Sequence, residues 1–135
     1  MPPPFAPVAL DHLVIRVRDL DGMEAFYRDA LGCEVAHRQE ALGLVHLRVG
    51  ASLLDLVWIG GKLGRGGEAP DQGRPNMDHL CIAVAPWDEA AIRAHLAAFG
   101  VVPDAPAERY GAGGRATTVY LRDPEGNAVE LRAAG

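Results

Sequence analysis

Two short segments of the chain place a histidine behind an aspartate at the head of an apolar pattern. They read Asp11-His12-Leu13-Val14-Ile15-Arg16-Val17 and Asp78-His79-Leu80-Cys81-Ile82-Ala83-Val84, identical at five of seven positions with a constant offset of 67. A lone histidine on a strand is usually structural. Here the same histidine recurs at the same place in two copies. Two carboxylates follow the repeat. Asp55 stands isolated in Leu53-Leu54-Asp55-Leu56-Val57-Trp58, and Glu130 in Ala128-Val129-Glu130-Leu131-Arg132, an offset of 75. The eight-residue excess fits a longer loop in the second half, at 108–115. A carboxylate buried among apolar neighbours needs a partner charge. Two imidazoles with one or two carboxylates suit a first-row divalent metal ion. His12, His79 and Glu130 are the candidate ligands. Asp55 is either a fourth acidic group facing the ion or a residue that caps a backbone group or pairs with an arginine.

The elements that must position these residues are also repeated. Each Asp-His segment alternates apolar and other residues, as a strand does. Alternation sets Leu13, Ile15 and Val17 on one face and His12, Val14 and Arg16 on the other; Leu80, Ile82 and Val84 likewise oppose His79, Cys81 and Ala83. The aliphatic triplets are the packing surface for helices, so both histidines point away from them. A helical stripe follows the first copy (Leu20, Met23, Phe26, Tyr27, Ala30, Leu31), with Asp19 or Asp21 as cap and Gly32 as stop. Ile92, Leu96 and Phe99 mark a second helix, with Pro86 at its start and Gly100 at its end. Strand-like runs come at 34–39, 43–49 and 52–59, then at 101–104, 115–122 and 127–132. The last two are joined by a Pro/Gly turn, Asp123-Pro124-Glu125-Gly126-Asn127. The expected fold is therefore α+β: two tandem βαβββ modules, at 8–59 and 77–133, forming a mostly antiparallel sheet. Residues 60–76, rich in Gly, Pro and charge, are a linker or a mobile loop over a site.

Composition narrows the function. The chain has 135 residues, of which 49% are hydrophobic, and a net charge of −5. It can bury a core without disulfides. It offers no basic face for nucleic acid, no apolar run long enough for a membrane span, and no phosphate loop. Cys33 and Cys81 match no zinc or disulfide spacing, which fits a reducing compartment and a soluble, cytoplasmic protein. Cys81 shares the face of His79 and is either pocket-lining or a small buried hydrophobe. His37 and His95 read as surface residues, and His46 as an edge-strand surface residue rather than a cavity one.

These residues resemble the vicinal oxygen chelate superfamily, which includes glyoxalase I, extradiol dioxygenases, fosfomycin-resistance proteins and bleomycin-binding proteins. The resemblance runs from about Ala9 to Arg132. It is carried by Asp11-His12-Leu13, by the helix ending Phe26-Tyr27-Arg28-Asp29-Ala30-Leu31-Gly32, by Asp78-His79-Leu80, and by Arg122-Asp123-Pro124-Glu125-Gly126-Asn127 leading to Glu130. It implies a cupped sheet around one divalent ion (Zn, Ni, Mn, Fe or Co) held by His12, His79 and Glu130. Asp55 stands where glyoxalase I has a longer Glu. The implied activity is a metal-dependent lyase or isomerase of glyoxalase type, acting on a small substrate chelated through vicinal oxygens, with Glu130 or Asp55 shuttling a proton. The alternatives are a non-haem dioxygenase and a metal-independent drug- or metabolite-binding protein; retention of all three ligands weighs against the latter. If Asp55 proves turned away and paired elsewhere, the oxygenase or group-transfer reading moves ahead. Arg109, Tyr110 and Arg115 lie in a Gly-rich loop that can close over an anionic substrate. A homodimer is expected, because exposed strand edges and an apolar groove call for a cover, with the modules pairing within or between chains.

Overall fold

The computed structural model describes residues 1–134. Its elements run β1 (His12–Val17), α1 (Leu20–Ala25), a π-helical turn (Phe26–Ala30), β2 (Glu34–Gln39), β3 (Leu44–Val49), β4 (Ser52–Trp58), β5 (Leu80–Val84), α2 (Glu89–Ala97), β6 (Ala107–Gly111), β7 (Gly114–Arg122) and β8 (Ala128–Ala133). They form two four-stranded sheets, ordered β1-β4-β3-β2 and β5-β8-β7-β6. In each sheet the first strand pairs parallel to the last, and the other pairings are antiparallel. This is a tandem βαβββ fold. Among the described residues no helix is long and apolar enough to cross a membrane.

The helix-facing side of each first strand supplies the core, as alternation requires, although Leu13 at the head of β1 stays exposed. Ile15, Val17 and Ile82 join Met23, Phe26, Tyr27, Leu96, Val119 and Val129 in one continuous apolar core. The Asp19 carboxylate accepts from the Gly22 N–H at 3.0 Å and caps α1. The helix then widens into the π turn and stops at Gly32, whose φ of 78° lies in the left-handed region that glycine tolerates best.

One buried junction ties the modules together. The fully buried Tyr27 donates its hydroxyl proton to Asp123 Oδ2 at 2.7 Å. Asp123 in turn organises its own turn. Its Oδ1 accepts from the N–H groups of Glu125 and Asn127, both at 3.0 Å, and its Oδ2 also accepts from the Asn127 amide at 2.8 Å. Glu125 caps the start of α1 by accepting from the N–H groups of Arg18 and Asp19 at 2.8–2.9 Å. The Asn76 side chain brackets Arg16, accepting from its N–H at 2.9 Å and donating to its C=O at 3.0 Å. The segment 60–76 is pinned as well, because Arg16 donates to the carbonyls of Gly64 and Gly67 at 2.6 and 2.9 Å.

Three sequence expectations need correction. No strand forms at 101–104. Pro103 has no N–H for a ladder, and Asp104 instead brackets Tyr120, donating its N–H to the Tyr120 carbonyl at 2.9 Å and accepting from the Tyr120 N–H at 2.7 Å. The strand that pairs with β7 is β6, within what reads as a loop. Helix α2 starts after Asp88, not at Pro86, because the Asp88 carboxylate accepts from the Ala91 N–H at 3.1 Å.

The junction generates a stability test. Tyr27→Phe keeps the ring and removes the proton donated to Asp123. The loss is expected to be about 1–3 kcal/mol, the cost of leaving a buried acceptor short of a donor. Urea unfolding should show a lower midpoint at an unchanged slope. An unchanged midpoint would mean that the bond does not stabilise the fold.

Candidate metal centre

The pairing registers place the same set of groups together in both modules. In the first, Asp55 on β4 lies opposite Val14 of β1 and His46 of β3. In the second, Glu130 on β8 lies opposite Cys81 of β5 and Tyr120 of β7. Each module histidine stands two residues before the strand position facing its carboxylate. Asp55 and Glu130 are therefore equivalents, and so are His46 and Tyr120.

Both candidate histidines are oriented in the same way. Asp11 Oδ1 engages His12 Nδ1 at 2.8 Å, and Asp78 Oδ1 engages His79 Nδ1 at 2.6 Å. A carboxylate on Nδ1 fixes the ring and leaves Nε2 as the donor toward a metal. The His79 Nε2 faces Glu130 Oε1 at 3.4 Å. The Asp11 hydrogen bond raises the His12 pKa; desolvation opposes it, and the Asp55 charge adds a lesser push upward.

The two carboxylates are in different states. Asp55 is buried and satisfied: His46 Nδ1 donates to its Oδ1 at 2.8 Å, while the Gln39 amide donates to His46 Nε2 at 2.9 Å. Its Oδ2 carries no hydrogen bond among the described residues. Glu130 is 6% exposed, yet its nearest N–H and O–H partners, His79 Nε2 and the Tyr120 hydroxyl, both stand at 3.4 Å, and its other side-chain partner is the weakly donating Cys81 thiol. A buried carboxylate held only by such long or weak contacts is short of positive charge. The donor set, two oriented imidazoles and an under-partnered carboxylate, suits a divalent cation in its chemistry. The chain alone gathers only part of it. Among the described residues no group of three or more His, Cys, Asp or Glu is placed to hold one ion. His79 and Glu130 meet in the second sheet, whereas His12 stays with the first. His12 and Cys81 both line a cavity of about 230 Å³ between the two modules.

Other candidate residues separate by strand parity. Arg109 lies on the Glu130 side of its sheet, where its guanidinium sits 4.9 Å from the centre of the Tyr120 ring. Tyr110 and Arg115 are not beside it. They pair across the β6–β7 hairpin on the opposite face, with Tyr110 83% exposed. Their expected closure over a substrate is corrected by strand alternation. His46 is not on an edge either: β3 lies between β4 and β2, and the ring is half-buried. Cys81 is exposed on the His79 side, and Cys33 is buried. His37 and His95 are exposed, as expected. Tyr120, Thr118, Gln39 and Arg132 escape a reading of single segments. Counting outward from the two hairpin turns would have set Tyr120 opposite Glu130 and His46 opposite Asp55.

Comparison with known proteins fits this geometry. The family model of the Glyoxalase/Bleomycin resistance protein/Dioxygenase superfamily matches residues 9–131. The glyoxalase domain-containing protein RDO1 of Mycosarcoma maydis is 33% identical over 125 residues, covering 91% of this chain and 66% of that one. An integron cassette protein from the mobile metagenome of V. cholerae superposes with a TM-score of 0.78 at 26% identity, over 97% of this chain and 98% of that one. A lactoylglutathione lyase from Agrobacterium tumefaciens does so with a TM-score of 0.66 at 25% identity, over 96% of each chain.

The histidine environment can be read directly by NMR. In metal-free protein, His12 is expected to titrate above an ordinary histidine, because Asp11 stabilises its protonated ring. Asp11→Asn should lower that midpoint. Equal midpoints in the two proteins would show that Asp11 does not hold the ring in solution.

Proposed function

The chain belongs to the Glyoxalase/Bleomycin resistance protein/Dioxygenase superfamily, and from that premise we propose that it is a metal-dependent lyase or isomerase of glyoxalase type. Its substrate is a small molecule offering two adjacent oxygens. The observation that carries this reading is Glu130, a buried carboxylate whose nearest N–H and O–H side-chain partners among the described residues stand at 3.4 Å. The likeness to a lactoylglutathione lyase supports it.

His12, His79 and Glu130 would hold the ion. A bound divalent ion supplies Lewis acidity to the substrate oxygens. Asp11 and Asp78 set the imidazole tautomers, and the Tyr120 hydroxyl donates toward Glu130 Oε1. Asp55 is the proton carrier: His46 occupies Oδ1, which leaves Oδ2 to take a proton from carbon and return it. Its pairing with His46 removes the need to count it as a fourth ligand. Asp55 stays on the His12 face of the first sheet, since it stands in register with Val14, two residues along from His12.

A second copy of the chain completes the site. Each chain holds two half-sites, one with His12 and Asp55, the other with His79 and Glu130. Leu10, Leu13 and Val14, which are 86%, 41% and 46% exposed, provide an apolar margin beside His12 for a partner to cover. The second reading is a non-haem oxygenase. It is favoured by the same Asp55–His46 pair, which leaves coordination positions open for O₂.

Two experiments test the proposal. The purified protein is expected to hold about one divalent ion per chain, and His79→Ala or Glu130→Ala to lose it. Coexpressing His12→Ala with Glu130→Ala chains should restore about a quarter of the wild-type metal, because mixed two-fold dimers then contain one intact site. Metal retained in the single variants would refute the ligand set, and no restoration in the mixture would refute the shared site. Asp55→Asn should lower kcat on a hemithioacetal substrate by roughly 10²-fold or more with metal retained. Oxygen uptake with a catechol in place of hemithioacetal turnover would move the assignment to the oxygenase.

A further inference from the structure

Among the described residues, two arginines on the Glu130 side of the second sheet lack a counter-ion. Arg132 follows Glu130 by two residues on β8 and therefore projects from the same face. It is 8% exposed, and its Nη2 donates to the Gly114 carbonyl at 2.7 Å. Arg109 on β6 donates to Thr118 Oγ1 at 2.6 Å and lies against the Tyr120 ring. Among the described residues no carboxylate comes within 4.0 Å of either guanidinium. Thr118, which is fully buried, stands in register with Arg132 on one side and Ala107 on the other. Arg109 thus bonds to the threonine that faces Arg132 in the ladder, while the Arg132 guanidinium reaches past it to Gly111 and Gly114. Gly111 makes this possible, since a Cβ there would fall inside the Arg132 guanidinium.

A guanidinium buried without an opposite charge is costly, and the cost is relieved when an anion arrives. The planar fork of arginine matches an oxyanion through paired N–H donors. Arg109 is one phenol ring from Glu130, because Tyr120 reaches Glu130 Oε1 with its hydroxyl and meets Arg109 with its face, and the Arg132 guanidinium lies on Gly111, two residues from Arg109 on the same face of β6. We propose that Arg109 and Arg132 form an anion-binding subsite, which takes a carboxylate or phosphonate group of the substrate while its reacting end lies at Glu130 and His79. This deepens the function proposed above and rests on it for the identity of the bound molecule. The subsite itself involves no metal.

The test is calorimetric titration of metal-free protein with methylphosphonate and, separately, with acetate. At least one of them is expected to bind, which identifies the oxyanion. Arg132→Met and Arg109→Met should each weaken that binding by about tenfold or more. Gly111→Ala, which keeps both arginines but displaces Arg132, should weaken it too, and it carries the test if Arg132→Met fails to fold. Lys62→Met, an exposed change of the same charge, should bind as wild type does. The subsite is overturned if neither probe binds at tens of millimolar, or if the arginine variants bind like wild type. Because no metal is present, either result leaves the metal assignment standing.

Discussion

The buried hydrogen bond from Tyr27 to Asp123 is the point on which the two modules hinge. It links the helical turn of the first module to the last hairpin of the second, in a place where neither group can turn to water. Asp123 is also committed to two backbone N–H groups and one side-chain amide of its own turn, so its position is fixed independently of Tyr27. Burial first, then the Asp123 charge, hold the phenol far above its usual ionisation range. Tyr27 therefore keeps its proton, and donates it, around neutral pH. Glu125 of the same turn caps α1. The turn thus sets where the first helix begins, how it packs, and where β8 with Glu130 lies relative to β1.

Strand parity then decides which groups can do chemistry. On β8 the order Val129, Glu130, Leu131, Arg132 sends aliphatic groups into the core with the helices and charged groups to the other side. The same rule separates Arg109 from its neighbour Tyr110. The resulting face holds a carboxylate short of cations and two guanidiniums short of anions, yet these do not pair with one another at salt-bridge distance. Such a face suits the two third parties proposed above, a cation at Glu130 and an anion at the arginines.

Much of this was legible in the sequence because the repeat removes coincidence. The strands of His12 and His79, the caps at Asp19 and the turn at Asp123 follow from local patterns. What escaped was cross-strand placement. Asp55 reads as isolated among leucines, and its partner His46 sits nine residues earlier across a hairpin, so only register brings them together. Arg109–Gly114 reads as a glycine loop because its apolar content is low, but β7 supplies the ladder that makes residues 107–111 a strand. Arg132 looks like a terminal surface charge; its burial comes from lying on Gly111, more than twenty positions away in a different strand. Such long-range packing has no signature in a window of a single chain.

The central inference is that the electrostatic deficit at Glu130 is met by a divalent cation. Anomalous diffraction at the metal absorption edge, on crystals of protein purified with its native metal, tests this most directly. One strong peak should lie about 2.0–2.2 Å from Glu130 Oε1 and His79 Nε2, with the His12 imidazole of the second copy completing the set. Density at Glu130 with no anomalous signal, or a peak coordinated by other residues, would contradict it.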